Sequence, residues 1–470
     1  MLLSIYHKLP PSLRSVAASA HGYYLRGLRY SRETERLVRQ AIEQEQWTQA
    51  EWADWQQQRT ADLLRHARLH VPYYRNYWAE QRRNGNQTSW DYLENWPILE
   101  KSVLRKTPRA FVADECKDKL FLIQTSGTTG TPLQLWQSKK ALIEWYALVE
   151  ARSRRWYGVT GQDRWAILGG KLVAPVQQRR PPYWVWNAGM RQLYLSSYHI
   201  SPQSTAAYVA ALQDYRVKYL WGYTSSLYSI AQGMLAQKIK APELKVVITN
   251  AEPLHDYQRE VMEAAFRCPV RETYGMAEMA VAAGECEHGS LHLWPSVGLV
   301  EVLDGERKLA AREIGDLVCT GLINADMPLV RYRVRDRGAL APTGTECACG
   351  RSLPMLKALE GRTDDLIYAS DGRSFGRLDP ILKGTLPIRE LQFVQEELDA
   401  VQVKYVPADG FSSQTEIELT HRIRQYLGDF TVRMVAVDRI ERSANGKFRQ
   451  VVCLLPADRR PSIHRQVTPR

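Results

Sequence analysis

Thr125-Ser126-Gly127-Thr128-Thr129-Gly130-Thr131-Pro132 places hydroxyls and backbone amides in one short loop whose glycines let phosphate oxygens come close to the main chain. The apolar run Phe121-Leu122-Ile123-Gln124 just before it has the length and residue types of a strand, so the loop sits where strand-to-loop phosphate cradles sit. A Walker A loop would close on Gly-Lys followed by Ser or Thr. Here Gly130 is followed by Thr131 and Pro132, which disfavours an ordinary P-loop NTPase. A Ser/Thr/Gly-rich stretch by itself also describes a surface turn, so the rest of the chain has to decide.

Working outward, six more segments follow in order: Ala251-Glu252-Pro253, Tyr274-Gly275-Met276-Ala277-Glu278, Gly315-Asp316-Leu317, Arg331-Tyr332-Arg333-Val334-Arg335-Asp336, Gly361-Arg362-Thr363-Asp364-Asp365 and Asn445-Gly446-Lys447. This ordered set resembles the adenylate-forming (AMP-binding) enzymes. In detail it is most similar to the branch that holds phenylacetate-CoA ligases and CapK-like proteins, where the lysine found after the loop proline in many acyl-CoA synthetases is absent, as Leu133 is here. The resemblance implies an α/β protein with a large N-terminal adenylate-forming domain of helix-covered sheets, residues 1–361, and a small mobile α+β lid, residues 362–470, hinged at Asp364.

Adenylation brings a carboxylate to the α-phosphate of ATP and expels pyrophosphate, so the protein must cancel the repulsion of two anions. Thr125, Ser126, Thr128 and Thr129, with the amides of Gly127 and Gly130, offer donors to the leaving phosphates. By the resemblance Glu278 holds Mg²⁺, which takes one or two carboxylates plus phosphate oxygens. Asp336, an acceptor-only side chain, takes both ribose hydroxyls, or is a structural partner of Arg335 or Arg337. By the same resemblance Ala251, Glu252 and Pro253 lie along the adenine with Tyr274 beside it, and Arg331 and Arg362 are cations near the phosphates or ribose, or equally surface ion-pair partners. Asn445-Gly446 between two apolar runs reads as a β-hairpin turn, and a lysine after such a turn is ordinarily solvated. In the family the matching lysine, here Lys447, bridges carboxylate and α-phosphate, a task that suits a long stem arriving on a mobile domain. Trp221-Gly222-Tyr223, in an aromatic-rich region, maps to the acyl pocket.

Seven cysteines over 470 residues, an odd number without framework spacing, argue for reduced thiols, and Lys8 and Pro10-Pro11 inside what would have to be an apolar signal segment lead to the expectation of a cytoplasmic protein. Cys347-Ala348-Cys349 lies downstream of Cys286, His288 and His292. On spacing alone this fits tetrahedral zinc and unrelated buried thiols equally. Some relatives of the phenylacetate-CoA ligase type carry a structural zinc on one Cys, one His and a Cys-x-Cys pair, which implies Cys286, Cys347, Cys349 and a histidine, His292 on the strand-like Leu291–Trp294 being preferred to His288 beside Gly289.

The net charge of +12 and its basic clusters describe ordinary solvated faces or attraction for an anionic partner: ATP, a phosphorylated carrier or an anionic membrane surface. No nucleic-acid module is recognisable, and no run reaches the roughly 20 apolar residues of a membrane span. Residues 1–86 read as a helical layer ending at the turn Asn84-Gly85-Asn86. Beyond Phe121 short apolar strands alternate with helices, and Thr224-Ser225 can cap a helix with an apolar stripe at Leu227, Ile230, Ala231, Met234 and Leu235. The expected activity is ATP-dependent formation of an acyl-adenylate and acyl transfer to CoA or another thiol, amine or hydroxyl, with a link to surface polysaccharide. The alternatives are an adenylyltransferase that leaves AMP on its product, or a lapsed homologue that serves as an adaptor.

Overall fold

The computed structural model describes residues 6–116, 119–124, 133–362, 366–371, 374–375, 378, 381, 386–443, 447–456 and 459–460. Helices Pro11–Arg29, Arg32–Glu43, Gln49–His70 and Pro72–Arg83 form the N-terminal layer. Local sequence sets their ends: the Ser31 hydroxyl accepts from the Thr34 amide, Thr48 and Glu51 satisfy each other's amides in a capping box, and Gly85 leaves the last helix with φ +79°. Leu63, Leu64, Ala67, Tyr74 and Trp78 are buried against Trp96, Leu99, Phe111 and the strand residues Leu317 and Tyr332.

Thirteen strands among the described residues make one continuous sheet. Towards one end of it lies a parallel block in the spatial order Val270–Gly275, Val246–Asn250, Tyr219–Tyr223, Trp165–Gly169 and Gln192–Ser196. Runs such as Val246-Val247-Ile248-Thr249 are buried throughout, as strands covered on both faces must be. One cover is built by helices Pro202–Asp214, Thr224–Ala236 and Asp256–Phe266 through Tyr208, Leu212, Leu227, Ile230, Met234, Met262 and Phe266. The C-terminal ends of the parallel strands therefore converge on Tyr223, Asn250 and Gly275, the side of an open α/β sheet that takes ligands.

The far edge of this sheet is Trp184–Asn187, antiparallel to Gln192–Ser196. The helix Pro11–Arg29 closes it with hydroxyls: the Trp186 amide donates to Ser15 Oγ, the Ala188 amide to Ser19 Oγ, and Ser19 donates to the Trp186 carbonyl. The approach is so close that a Cβ on Gly189 would lie 2.2 Å from the Tyr23 nitrogen.

The smaller C-terminal unit has a four-stranded sheet in the order Thr431–Ala436, Ala400–Pro407, Ile388–Gln395, Val451–Cys453. Its helix Ser413–Leu427 buries Leu419, Ile423 and Leu427 against it. The hairpin expected around Asn445-Gly446 is not formed. The strands on either side lie at opposite edges of the sheet, each parallel to an inner strand, because the central antiparallel pair already occupies the middle. The chain crosses between those edges, and residues 444–446 lie outside the described set. Among the described residues no helix is long and apolar enough to cross a membrane.

Candidate functional site

The loop residues Thr125, Ser126, Gly127, Thr128, Thr129 and Gly130, and the hinge residue Asp364, lie outside the described residues. The frame of the loop is defined, since Leu120–Gln124 pairs antiparallel with Gln134–Ser138, Gln124 opposite Gln134. Gln137 Nε2 donates to the Ala277 carbonyl at 2.9 Å, which ties this hairpin to the segment carrying Glu278. The Glu278 carboxylate is almost fully buried, and its Oε1 accepts from Lys101 Nζ and from the Tyr332 hydroxyl, both at 3.1 Å. Sequence gave no hint of Lys101, which stands in a helical turn 177 residues upstream.

Tyr274, at the end of its strand, donates to Asp336 Oδ2 at 2.7 Å. Burial and then the Asp336 carboxylate push the tyrosine hydroxyl well above its usual pKa, so it stays a donor at any working pH. Asp336 pairs with Arg362 in the register of strands Tyr332–Leu340 and Met355–Arg362. Arg331 is placed differently from a cation facing phosphates. Its guanidinium is held by Glu301 in a bidentate pair at 3.0 Å and by the carbonyls of Glu94 and Trp96, which makes it a brace between two segments of the large domain.

Glu252 is the junction of the site. The helix after Tyr223 begins at Thr224 without a side-chain cap of its own, so the capping expected of Thr224-Ser225 comes instead from the next loop. Glu252 Oε2 accepts from the Ser225 amide at 2.8 Å, and the Thr224 hydroxyl donates to the Glu252 carbonyl. The other oxygen, Oε1, accepts from the Phe448 amide of the C-terminal unit at 2.7 Å. Burial pushes this carboxyl above the usual range, opposed by the Ser225 and Phe448 amides. Ala251, just before it, is held at φ +64°, while His255 Nε2 lies 3.1 Å from Gln450 Oε1. These contacts set Lys447 over the large domain, with its Nζ 6.0 Å from the centre of the Tyr223 ring. Ser443 Oγ accepts from the Lys447 amide and donates to its carbonyl, closing the lysine's loop. Gly222 has no room for a side chain, since a Cβ would meet the Leu168 carbonyl at 2.8 Å. Trp221 turns to the other face of the sheet, under the Arg154 guanidinium.

Cys286, His292, Cys347 and Cys349 bring four ligand atoms within 4.8 Å of one another, about 60 residues apart in pairs along the chain. Cys286 and Cys347 sulfurs are 3.7 Å apart, and Cys349 Sγ is 3.3 Å from His292 Nε2. Four bonds of about 2.3 Å directed tetrahedrally put sulfurs about 3.8 Å apart, so the spacing fits zinc. His292 Nδ1 faces the Leu353 carbonyl at 3.2 Å, which leaves Nε2 for a metal. His288 is exposed and outside the group.

Residues 37–325 match the family model of AMP-binding enzymes, and residues 368–453 that of the CapK C-terminal domain. The chain belongs to the AMP-binding enzyme family. Within this family it is similar to Protein CapK of Staphylococcus aureus, 23% identical over 96% of this chain and 98% of that one. It is also 26% identical to phenylacetate-coenzyme A ligase of Pseudomonas putida over 81% of this chain and 89% of the relative. Its fold is that of a crystallised 2-hydroxyisobutyryl-CoA ligase in the postadenylation state, with a TM-score of 0.68 at 20% identity over 88% of this chain and 92% of that one. The chain is thus an acyl-adenylate-forming ligase of the branch that holds CapK and the phenylacetate-CoA ligases.

Proposed function

We propose that the chain activates a small carboxylic acid with ATP and passes the acyl group to CoA. The observation that carries this reading is the seating of Lys447 above Tyr223 by the Glu252 to Phe448 contact. It brings a cation from the smaller unit to the C-terminal ends of the parallel strands, where Tyr274 and Asp336 also stand. In the first step a carboxylate oxygen attacks the α-phosphorus, the bond to the bridging oxygen breaks and pyrophosphate leaves. Lys447 supplies positive charge between the two anions as they meet. Asp336, its Oδ2 oriented by Tyr274, accepts from the ribose. Ala251 to Pro253 flank the adenine, and Tyr223 and Gly222 border the acyl group.

Glu278 is the carboxylate suited to Mg²⁺, which would neutralise the leaving phosphates; Lys101 holds its charge in the meantime. In the second step a thiol sulfur attacks the acyl carbon and AMP leaves. We place the boundary at the end of the strand Met355–Arg362, one residue beyond 361, with the hinge at Asp364, because that strand belongs to the large sheet whereas Ile367 belongs to the core of the smaller unit. The four-residue Cys/His group is assigned a structural zinc. The resemblance to CapK favours an acid or acceptor from surface-polysaccharide synthesis, in which a hydroxyl or amine takes the place of the thiol.

The test is exchange of labelled pyrophosphate into ATP with a library of aryl, sugar and lipid-linked acids, followed by analysis of the product with CoA. Acid-dependent exchange with a CoA thioester as product is expected. Exchange without thioester would move the acceptor to an amine or hydroxyl, a product that keeps AMP would identify an adenylyltransferase, and no binding of ATP would overturn the reading.

A further inference from the structure

The helix Pro11–Arg29 is inside out for a helix on the surface of a water-soluble body. Its inward face is small and polar, with Ser15 and Ser19 bonded to the edge strand, Gly22 against Asn187, and Arg14 reaching the Val173 carbonyl and Gln178. Its outward face carries the apolar residues. Leu13, Val16, Ala17, Ala20, Tyr23 and Tyr24 follow the three-and-four spacing of one helical stripe. The large ones are exposed by 49, 62, 60 and 57% for Leu13, Val16, Tyr23 and Tyr24.

Beside the start of this helix runs the loop 170–182, to which Tyr6, His7 and Arg14 are all bonded. Val176 at its tip is 50% exposed. Five of the thirteen large apolar side chains exposed among the described residues therefore gather on this one face, a concentration that scattered surface apolars do not show.

Charge on the same face is one-sided. Residues 6–32 and 164–213, the segments from which the face is drawn, contain ten lysines and arginines, one of them the inward Arg14, and no aspartate or glutamate, in a chain whose whole net charge is +12. Lys8, Lys171, Arg179 and Arg180 are exposed around the stripe. Apolar side chains with tyrosines at their margin, ringed by cations and free of carboxylates, match the interface of a bilayer whose headgroups are anionic.

We propose that this face is a docking surface for an anionic membrane, with the stripe of the helix entering the headgroup layer and the rim cations meeting lipid phosphates. The helix lies on the outer edge of the parallel block, beyond Trp184–Asn187, while the loop 170–182 leaves the C-terminal end of the inner strand Trp165–Gly169.

The experiment is co-sedimentation of the full chain with vesicles of phosphatidylcholine alone or with about one phosphatidylglycerol in three lipids. Binding is expected to the anionic vesicles and to be weak on the neutral ones. Val16→Glu/Tyr23→Glu should lower the bound fraction at least about tenfold, and Arg179→Glu/Arg180→Glu should remove the preference for phosphatidylglycerol. Pyrophosphate exchange with a soluble acid and the melting temperature should stay as in the parent. Val16→Ser/Tyr23→Ser gives a milder second pair should the glutamates disturb folding. Failure of the parent to sediment with anionic vesicles, or equal sedimentation of the variants, would overturn the proposal. So would a concentration-dependent dimer without lipid that Val16→Glu/Tyr23→Glu dissolves, since the stripe would then belong to a second copy.

Discussion

Replacing Glu252 by alanine isolates what holds the smaller unit over the site. The Glu252 carboxylate makes two short bonds, to the Ser225 amide at 2.8 Å and to the Phe448 amide at 2.7 Å. The first lies within the large domain and survives any movement of the smaller one, so it cancels in the closing equilibrium. Only the Phe448 bond is made on closing. A hydrogen bond to a charged group contributes about 1.5–3 kcal/mol net. Burial already disfavours this carboxylate's charged form, so the lower end applies. A loss of about 1.5 kcal/mol corresponds to a closing constant lowered roughly tenfold. The His255 to Gln450 contact remains in the variant and limits the loss to that size. The assay is a pair of fluorophores, one on each unit, titrated with ATP and acid, run beside pyrophosphate exchange. The expected result is a closed fraction that needs about ten times the ligand to saturate, with the fold of the large domain intact. An unchanged closing curve in Glu252→Ala would refute the view that this carboxylate latches the two units.

Lys447→Ala should slow pyrophosphate exchange by about 10² to 10³ while leaving ATP affinity nearly unchanged, because it removes charge needed only as the two anions meet; stopped-flow and equilibrium binding separate the two. Glu278→Gln should raise the Mg²⁺ concentration for half-maximal exchange at least about tenfold, whereas Lys101→Met should lower it by removing the competing ammonium. Tyr274→Phe leaves Asp336 Oδ2 without its donor and should weaken ATP binding about tenfold by calorimetry, the size of one hydrogen bond to a charged group. Elemental analysis of the parent is expected to give about one zinc per chain, and Cys347→Ser should abolish it and lower the melting temperature steeply, since structural zinc contributes to folding directly.

The alternation of strands and helices was legible because buried strands read as short apolar runs between helices, as at Val246–Asn250, whereas the order of the strands in the sheet was not read from the sequence. Spacing alone left the cysteines open between zinc and unrelated thiols, and only the family resemblance implied the quartet; the structure brings Cys286, His292, Cys347 and Cys349 together, with the strand of His292 placing it opposite Met355 near Cys349. The hairpin around Asn445-Gly446 was misread because two apolar runs flanking a turn carry no information on whether they pair with each other or with inner strands. The role of Glu252 was hidden for a related reason. Its partners, Ser225 and Phe448, contribute backbone amides, which leave no mark in a sequence, and the second of them is 196 residues away. Arg331 stayed open between a cation near the phosphates or ribose and an ion-pair partner, because a guanidinium bound by carbonyls and one carboxylate is spelled the same way as one bound by a nucleotide; the structure pairs it with Glu301.

The closure of the strand Trp184–Asn187 by the hydroxyls of Ser15 and Ser19 has a consequence for handling and for the cell. An uncovered edge strand is a template on which another chain can add its own, and this one carries two tryptophans on an otherwise apolar block. A chain clipped behind residue 30 would keep every catalytic group, yet it would offer that edge to its neighbours and grow into strand-paired aggregates. Proteolysis of the first helix should therefore be read by light scattering as well as by activity, since solubility would be lost first.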